Sequence, residues 1–157
     1  MSTCYIETPL GNAEIVGDND GVSSVSILNT IEKISESIPE ELSDCVSQLK
    51  AYFNNELQHF DLKLNFKGTD FQKKVWKLLE AIPYGKTISY LELSKQLGDP
   101  KAIRAAASAN GKNPLWIIVP CHRVIGSDGS LTGYAGGLHR KQWLLNHESL
   151  NKQQTLF

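Results

Sequence analysis

The sequence predicts an α/β chain in two parts: a small sheet-and-helix unit over residues 1–66, then a mostly helical unit over 67–157 that carries a helix-turn-helix. Three observations predict it. Short β-prone segments separated by turn formers fill the N-terminal stretch. Apolar residues then recur at helical spacing, first after Pro39 and again after Thr69. Finally, two short helical stretches meet through a tight "GDP" connection at 98–100. A chain of 157 residues buries a usable core as one large domain or as two small ones.

The elements follow in order. "CYIETPL", "NAEIVG" and "GVSSVSIL" read as strands, with turns at Gly11–Asn12 and Asp18–Gly21. "PEELSDCVSQLKAYFNNEL" changes period and places Leu42, Cys45, Val46, Leu49, Tyr52 and Phe53 on one helical face, which makes Cys45 a core filler. "FDLKLNF" alternates, with Phe60, Leu62, Leu64 and Phe66 on one side, as a half-buried strand does. "TDFQKKVWKLLEAI" opens on a Thr69–Gln72 capping box and carries a stripe of Phe71, Val75, Leu78, Leu79 and Ile82, until "PYGK" breaks it. In "SYLELSKQLG", Ser89 caps a helix that Gly98 ends; in "DPKAIRAAASANG", Asp99 caps, Pro100 occupies the first turn and Gly111 closes. The apolar run Leu115–Val119 reads as a buried strand stopped by Pro120, and "HRKQWLLNHESL" as a last helix.

Composition narrows the function. A hydrophobic fraction of 41% with 21% charged residues suits a globular chain rather than a disordered one. No apolar run is long enough to span a bilayer and the N-terminus shows no export signal, so a cytoplasmic protein without a membrane partner is expected. Cys4, Cys45 and Cys121 are scattered, none in a CxxC pair, so neither a disulfide framework nor a thiolate zinc site is expected, and no cofactor is called for. The net charge of −1 hides an asymmetry: residues 1–66 hold 3 Lys/Arg against 11 Asp/Glu, and residues 67–157 hold 13 against 6. Either the second half meets a polyanion, or the two halves simply attract each other.

Two constellations carry chemistry. In the helix after Pro100, Ala102, Ala105, Ala106, Ala107, Ser108 and Ala109 leave little bulk, and Arg104 is the only long cation past the first turn. One face packs tightly on a neighbour; another, slim enough for a minor groove, is able to insert Arg104 among bases. Cys121 and His122 lie side by side after Pro120. A nucleophilic thiol needs a base or a positive environment, but strand neighbours point opposite ways, so the pair meets only through a turn or a bridging water. "GYAGG" at 133–137 permits close backbone approach to a ligand, and Glu148 on the last helix is a carboxylate able to orient His122.

"GKTISYLELSKQLGDPKAIRAAASANGKNPLWIIVP" followed by "CHRVIGSDGSLTGYAGGLHRKQWLLNHE" resembles the O6-alkylguanine-DNA alkyltransferase family, almost continuously from Phe71 to Glu148. The first half is similar mainly through "TPLG" and its order of elements. The resemblance implies a ribonuclease-H-like N-terminal domain and a winged helix-turn-helix-like C-terminal domain. It implies single-turnover repair: Cys121 takes the alkyl group from guanine O6, and less readily thymine O4, of alkylated double-stranded DNA. His122 acts through a water on the thiol, Glu148 holds His122, and Asn113 ties the helix-turn-helix to the active-site strand. Tyr90 rotates the nucleotide out and meets the base, and Arg104 fills the vacated stack. Ala102, Ile103, Ala107 and Ser108 line the DNA-binding face, the backbone of Cys121, Val124 and Ala135 reads the flipped guanine, and Tyr134 and Gly136 line the pocket. The protein is expected to act as a monomer in the minor groove. No metal is expected, because only Cys4 of a possible N-terminal zinc set is present. Trp116, where some relatives carry a small residue or proline, implies a tighter pocket that disfavours benzyl adducts. Competing expectations are a damage-binding module that does not react, and a cysteine hydrolase or acyltransferase, which lacks an evident oxyanion-hole signature here.

Overall fold

The computed structural model describes residues 1–30, 34–131, 134 and 136–154, with 150–154 by backbone alone. Two compact units emerge, 1–67 with 114–116, and 68–113 with 117–157.

In the first unit, β1 (Ser2–Thr8), β2 (Gly11–Asp18) and β3 (Gly21–Ile27) form an antiparallel sheet in the order β1-β2-β3. Pairing runs from Ser2↔Gly17 to Thr8↔Gly11, so alternate residues Cys4, Ile6, Ala13 and Ile15 turn inward. Against them packs α1 (Glu40–Phe53), whose Leu42, Cys45, Val46, Leu49 and Tyr52 are buried at the spacing the sequence predicts. Gly21 sits at φ +128°, and a Cβ there would stand 2.7 Å from the Lys63 carbonyl oxygen, so only glycine lets this close crossing form.

That crossing corrects the strand expected at Phe60–Phe66. The segment pairs with β3 only around Val22, through Val22 N–H to Lys63 O at 2.9 Å and Asn65 N–H to Val22 O at 2.8 Å. A few residues along, Val25 gives its N–H to Pro114 O and accepts from Trp116 N–H. Two segments divide one sheet edge, and neither has room to extend into a ladder.

The second unit begins with α2 (Asp70–Glu80), opened by the Thr69–Gln72 capping box with both of its bonds formed. Its buried face is Val75, Trp76 and Leu79, continued by Ile82, and differs from the predicted stripe: Phe71 is 38% exposed and Leu78 only half-buried. The indole of Trp76 is the reason. It meets α4 (Ile103–Gly111), whose buried residues Ala106 and Ala109 are small, and gives its N–H to Ala109 O at 2.9 Å. A small-residue face thus turns α2 toward its bulkiest side chain.

Between them, α3 (Tyr90–Gln96) is capped by Ser89 and followed by Gly98 at φ +84°. Asp99 caps a 3-10 turn, Pro100–Ala102, that leads into α4; Gly111 is the last residue of α4 and Lys112 its C-cap. The short strand β4 (Ile88–Ser89) pairs in parallel with β5 (Val124–Ile125), and α5 (Leu138–Gln154) ends the unit. Among the described residues no helix is long and apolar enough to cross a membrane.

Candidate active site around Cys121

The run before Cys121 is buried, as its composition predicts, but it is not a strand. Leu115 makes one bridge to Val25, after which Trp116–Ile118 form a turn with Ile117 at φ +69°. A β-branched residue in the left-handed region is sterically costly, so the reversal is held by its surroundings. Pro114 and Pro120 bracket the run and lack the N–H that a ladder needs, while Cys121 N–H closes back on Val119 O at 2.8 Å. Cys121 therefore opens a 3-10 turn, Cys121–Arg123, rather than ending a strand. This supplies the turn that neighbouring thiol and imidazole require.

The turn buries two ionisable side chains against α5. His122 Nε2 lies 2.7 Å from Glu148 Oε2, and Arg123 forks onto the same carboxylate, Nε to Oε1 at 2.8 Å and Nη2 to Oε2 at 3.0 Å. Arg123 also gives Nη1–H to Ile82 O at 2.7 Å and stands over the Tyr84 ring. Burial alone would push the Glu148 carboxyl up; His122 and Arg123 together hold it well below the usual carboxylate range. For His122, burial lowers the imidazole, Glu148 opposes it, and Arg123 and Lys141 lower it further, so the ring is neutral. With Nε2 turned to the carboxylate, Nε2 carries the proton and Nδ1, buried and without a hydrogen-bond partner among the described residues, offers a lone pair.

Burial pushes the Cys121 thiol up, and a hydrogen bond from Asn113, the charge of Lys141 and a hydrogen bond from Tyr134 pull it back. The sulfur's residue is 7% exposed. Asn113 also gives Nδ2–H to Val119 O at 2.7 Å, so one side chain ties the end of α4 to the turn before the cysteine. Lys141 is fully buried on α5, gives Nζ–H to Val124 O at 2.7 Å, and faces the Tyr90 ring at 5.7 Å. Asn110 reaches Cys121 O at 3.4 Å.

The structure thus gathers Cys121, His122, Glu148, Asn113, Val124, Tyr134 and Tyr90 around one turn. Gly136 is buried nearby in sequence and accepts from Arg140 Nη1; Ala135 lies outside the described residues. The α4 group stands elsewhere: Ile103, Arg104 and Ser108 are exposed, Ala102 and Ala107 half-exposed, and Ala106 and Ala109 buried. Trp116 is buried in the first unit, with its ring tilted against Phe53 at 6.2 Å and its backbone N–H bonded to Val25 O. A cavity of about 200 Å³ lined by Asp18, Glu41, Asp44 and Asp61 also lies in the first unit and includes none of the nominated residues.

Arg123, Lys141 and Asn110 are not among the site residues expected from the sequence. For Lys141 a signal existed: with Leu144 and Glu148 it repeats at i, i+3 and i+7, one face of α5. Arg123 follows an apolar run directly, an uncommon place for a solvated cation.

Comparison with known proteins adds the family. Residues 1–66 match the ribonuclease-like domain of 6-O-methylguanine DNA methyltransferase, and residues 70–150 match its DNA binding domain. The methylated-DNA--protein-cysteine methyltransferase of Methanosarcina acetivorans is 46% identical over 155 residues, covering 94% of this chain and 98% of its own. That of Mycobacterium bovis is 47% identical over 147 residues, 91% of this chain and 89% of its own. Among solved structures, the Mycobacterium tuberculosis O6-methylguanine methyltransferase superposes with a TM-score of 0.85 at 45% identity, covering 95% and 93% of the two chains. The Mycobacterium tuberculosis OGT solved in complex with DNA gives 0.84 at 46%, covering 94% and 92%. With both halves matched in order around a buried Cys–His–Glu turn, the chain belongs to the 6-O-methylguanine DNA methyltransferase family.

Proposed function

We propose that this protein repairs DNA by removing a methyl or small alkyl group from guanine O6 and keeping it on Cys121. The carrying observation is the buried relay in which Glu148 fixes His122 through Nε2 and leaves Nδ1, on the residue next to Cys121, without a partner among the described residues.

The steps follow from that geometry. O6 of a stacked guanine is out of reach of a buried sulfur, so the nucleotide is flipped out, at about a few kcal/mol. The slim exposed face of α4 enters the minor groove and Arg104 takes the vacated stack, which offsets part of that cost. Because Cys121 is only 7% exposed, base entry displaces Tyr134 from the thiol. The S–H proton passes through a water to His122 Nδ1, sulfur attacks the alkyl carbon, and the C–O6 bond breaks with its electron pair going to guanine. Tyr90 gives its phenolic proton to the leaving base and is reprotonated by way of His122, which returns the proton taken from the thiol, so the net transfer is one proton from sulfur to guanine. A thioether is a poor leaving group, so each molecule acts once. The protein works as a monomer and in the cytoplasm, where a reducing poise keeps Cys121 free.

Incubation with duplex DNA bearing O6-methylguanine, then intact mass and peptide mapping, tests this. One added methyl on the Cys121 peptide is expected, and none in Cys121→Ala. Lesion removal by Cys121→Ala would assign the chemistry to another group; tight binding without a mass change would make the protein a recognition module.

A further inference from the structure

We infer that Arg123 is a positioning residue: it takes up the Glu148 carboxylate so that the His122 imidazole rests uncharged, with Nε2–H on Glu148 and Nδ1 free to accept the thiol's proton. This rests on the function proposed above and assigns its resting state.

The Glu148 carboxylate shares its charge between two partners. In an isolated acid–imidazole pair, the carboxylate's full charge is available to the ring and favours imidazolium. Here Oε1 is bonded by Arg123 Nε, and Oε2 is divided between Arg123 Nη2 at 3.0 Å and His122 Nε2 at 2.7 Å. Arg123 cannot give up its own charge and cannot swing away, because Nη1 is fixed on Ile82 O and the guanidinium stands over Tyr84. The groups facing the imidazole are Glu148 and Lys141 from α5 and Arg123 on its own turn; the chain after α2 meets Arg123 through Ile82 and Tyr84. A proton on His122 would set three buried cations against one carboxylate, an excess that burial makes costly.

The consequence concerns Cys121. It rests as a thiol, not as half of a standing thiolate–imidazolium pair. Its S–H bond breaks and the Nδ1–H bond forms when the alkyl carbon is in place. Arg123 touches neither substrate nor sulfur in this scheme; it acts through Glu148 and His122.

The test is nitrogen-15 NMR of the histidine-labelled full chain, with the protonation midpoint of His122 followed over pH in the wild type, Arg123→Met and Arg123→Lys. The neutral Nε2–H tautomer is expected at pH 7 in the wild type. In Arg123→Met the midpoint should rise by ~1 pH unit or more, since the guanidinium no longer shares the Glu148 carboxylate with the imidazole. Arg123→Lys, which restores a charge, should bring it back toward the wild-type value. An imidazolium at pH 7 in the wild type overturns the proposal, and that measurement needs no variant to fold. So does an unshifted midpoint in a folded Arg123→Met, or a lysine variant that titrates like the methionine one. Methyl transfer from O6-methylguanine duplex is assayed separately: its failure with these titrations intact removes the repair function and leaves the role of Arg123 standing.

Discussion

His122 and Glu148 make the protein's stability depend on acid in a definite sense. Folding lowers the His122 value below that of a free imidazole, so between about 6.5 and the folded value the unfolded chain binds the extra proton. Stability is then fully present above pH 6.5 and falls as pH drops. Glu148, also lowered, adds a second loss below about pH 4.3 by the same reasoning. Urea unfolding at pH 7.5 and 5.5 should show the wild type losing stability over that interval through His122, and His122→Gln should lack this part of the slope. Equal slopes in the two proteins would mean that the imidazole is not buried neutral. At this scale the sequence was informative where chemistry is local: Cys121, His122 and Glu148 were nominated from it and lie together. It was silent on Arg123 and Lys141, whose burial depends on α5 folding back over the turn, a contact more than fifteen residues distant in sequence.

Elements with a strong local signal form where the pattern puts them. The Thr69–Gln72 box, the Ser89 cap and the Gly98 stop each depend on residues within one turn, and each is present. The expected strands at Phe60–Phe66 and Leu115–Val119 fail because a strand needs a free edge, and β3 divides its edge between them; no local period reports that competition. The stripe of α2 was misplaced for a related reason, since the choice of Trp76 over Phe71 is made by the small face of α4. That helix offers a sharp separation of roles. Ala106 is buried and Ala105, its neighbour, is exposed. Ala106→Leu overpacks the buried face of α4 and should cost ~1–3 kcal/mol in urea unfolding. Ala105→Glu should leave stability within about 0.5 kcal/mol yet weaken binding to a duplex, because it puts bulk and negative charge on the face proposed to enter the groove. If Ala105→Glu binds DNA as the wild type does, α4 is not the inserted helix.

Across the whole chain, charge is segregated along the sequence: 3 Lys/Arg against 11 Asp/Glu in residues 1–66, and 13 against 6 in residues 67–157. Not all of that positive charge is available to phosphates. Arg123, Arg140 and Lys141 are buried, with Arg123 and Lys141 committed to Glu148 and the Val124 carbonyl. Lys101 and Lys112, which flank α4, are exposed. Phosphate contacts release counterions, and the logarithm of affinity falls with the logarithm of salt by about 0.9 for each contact in B-form DNA. Binding to an undamaged duplex, measured by fluorescence anisotropy between 50 and 200 mM salt, should therefore weaken steeply for the wild type. Lys101→Ala and Lys112→Ala should each flatten the slope by ~0.9, and Lys50→Ala, on α1 of the acidic unit, should leave it unchanged. The Debye length of about 8–10 Å at these salts is what makes the comparison local: a cation counts only if a phosphate comes within that reach. A slope indifferent to Lys101 and Lys112 would return the charge asymmetry to its other reading, in which the two halves of the chain answer only each other.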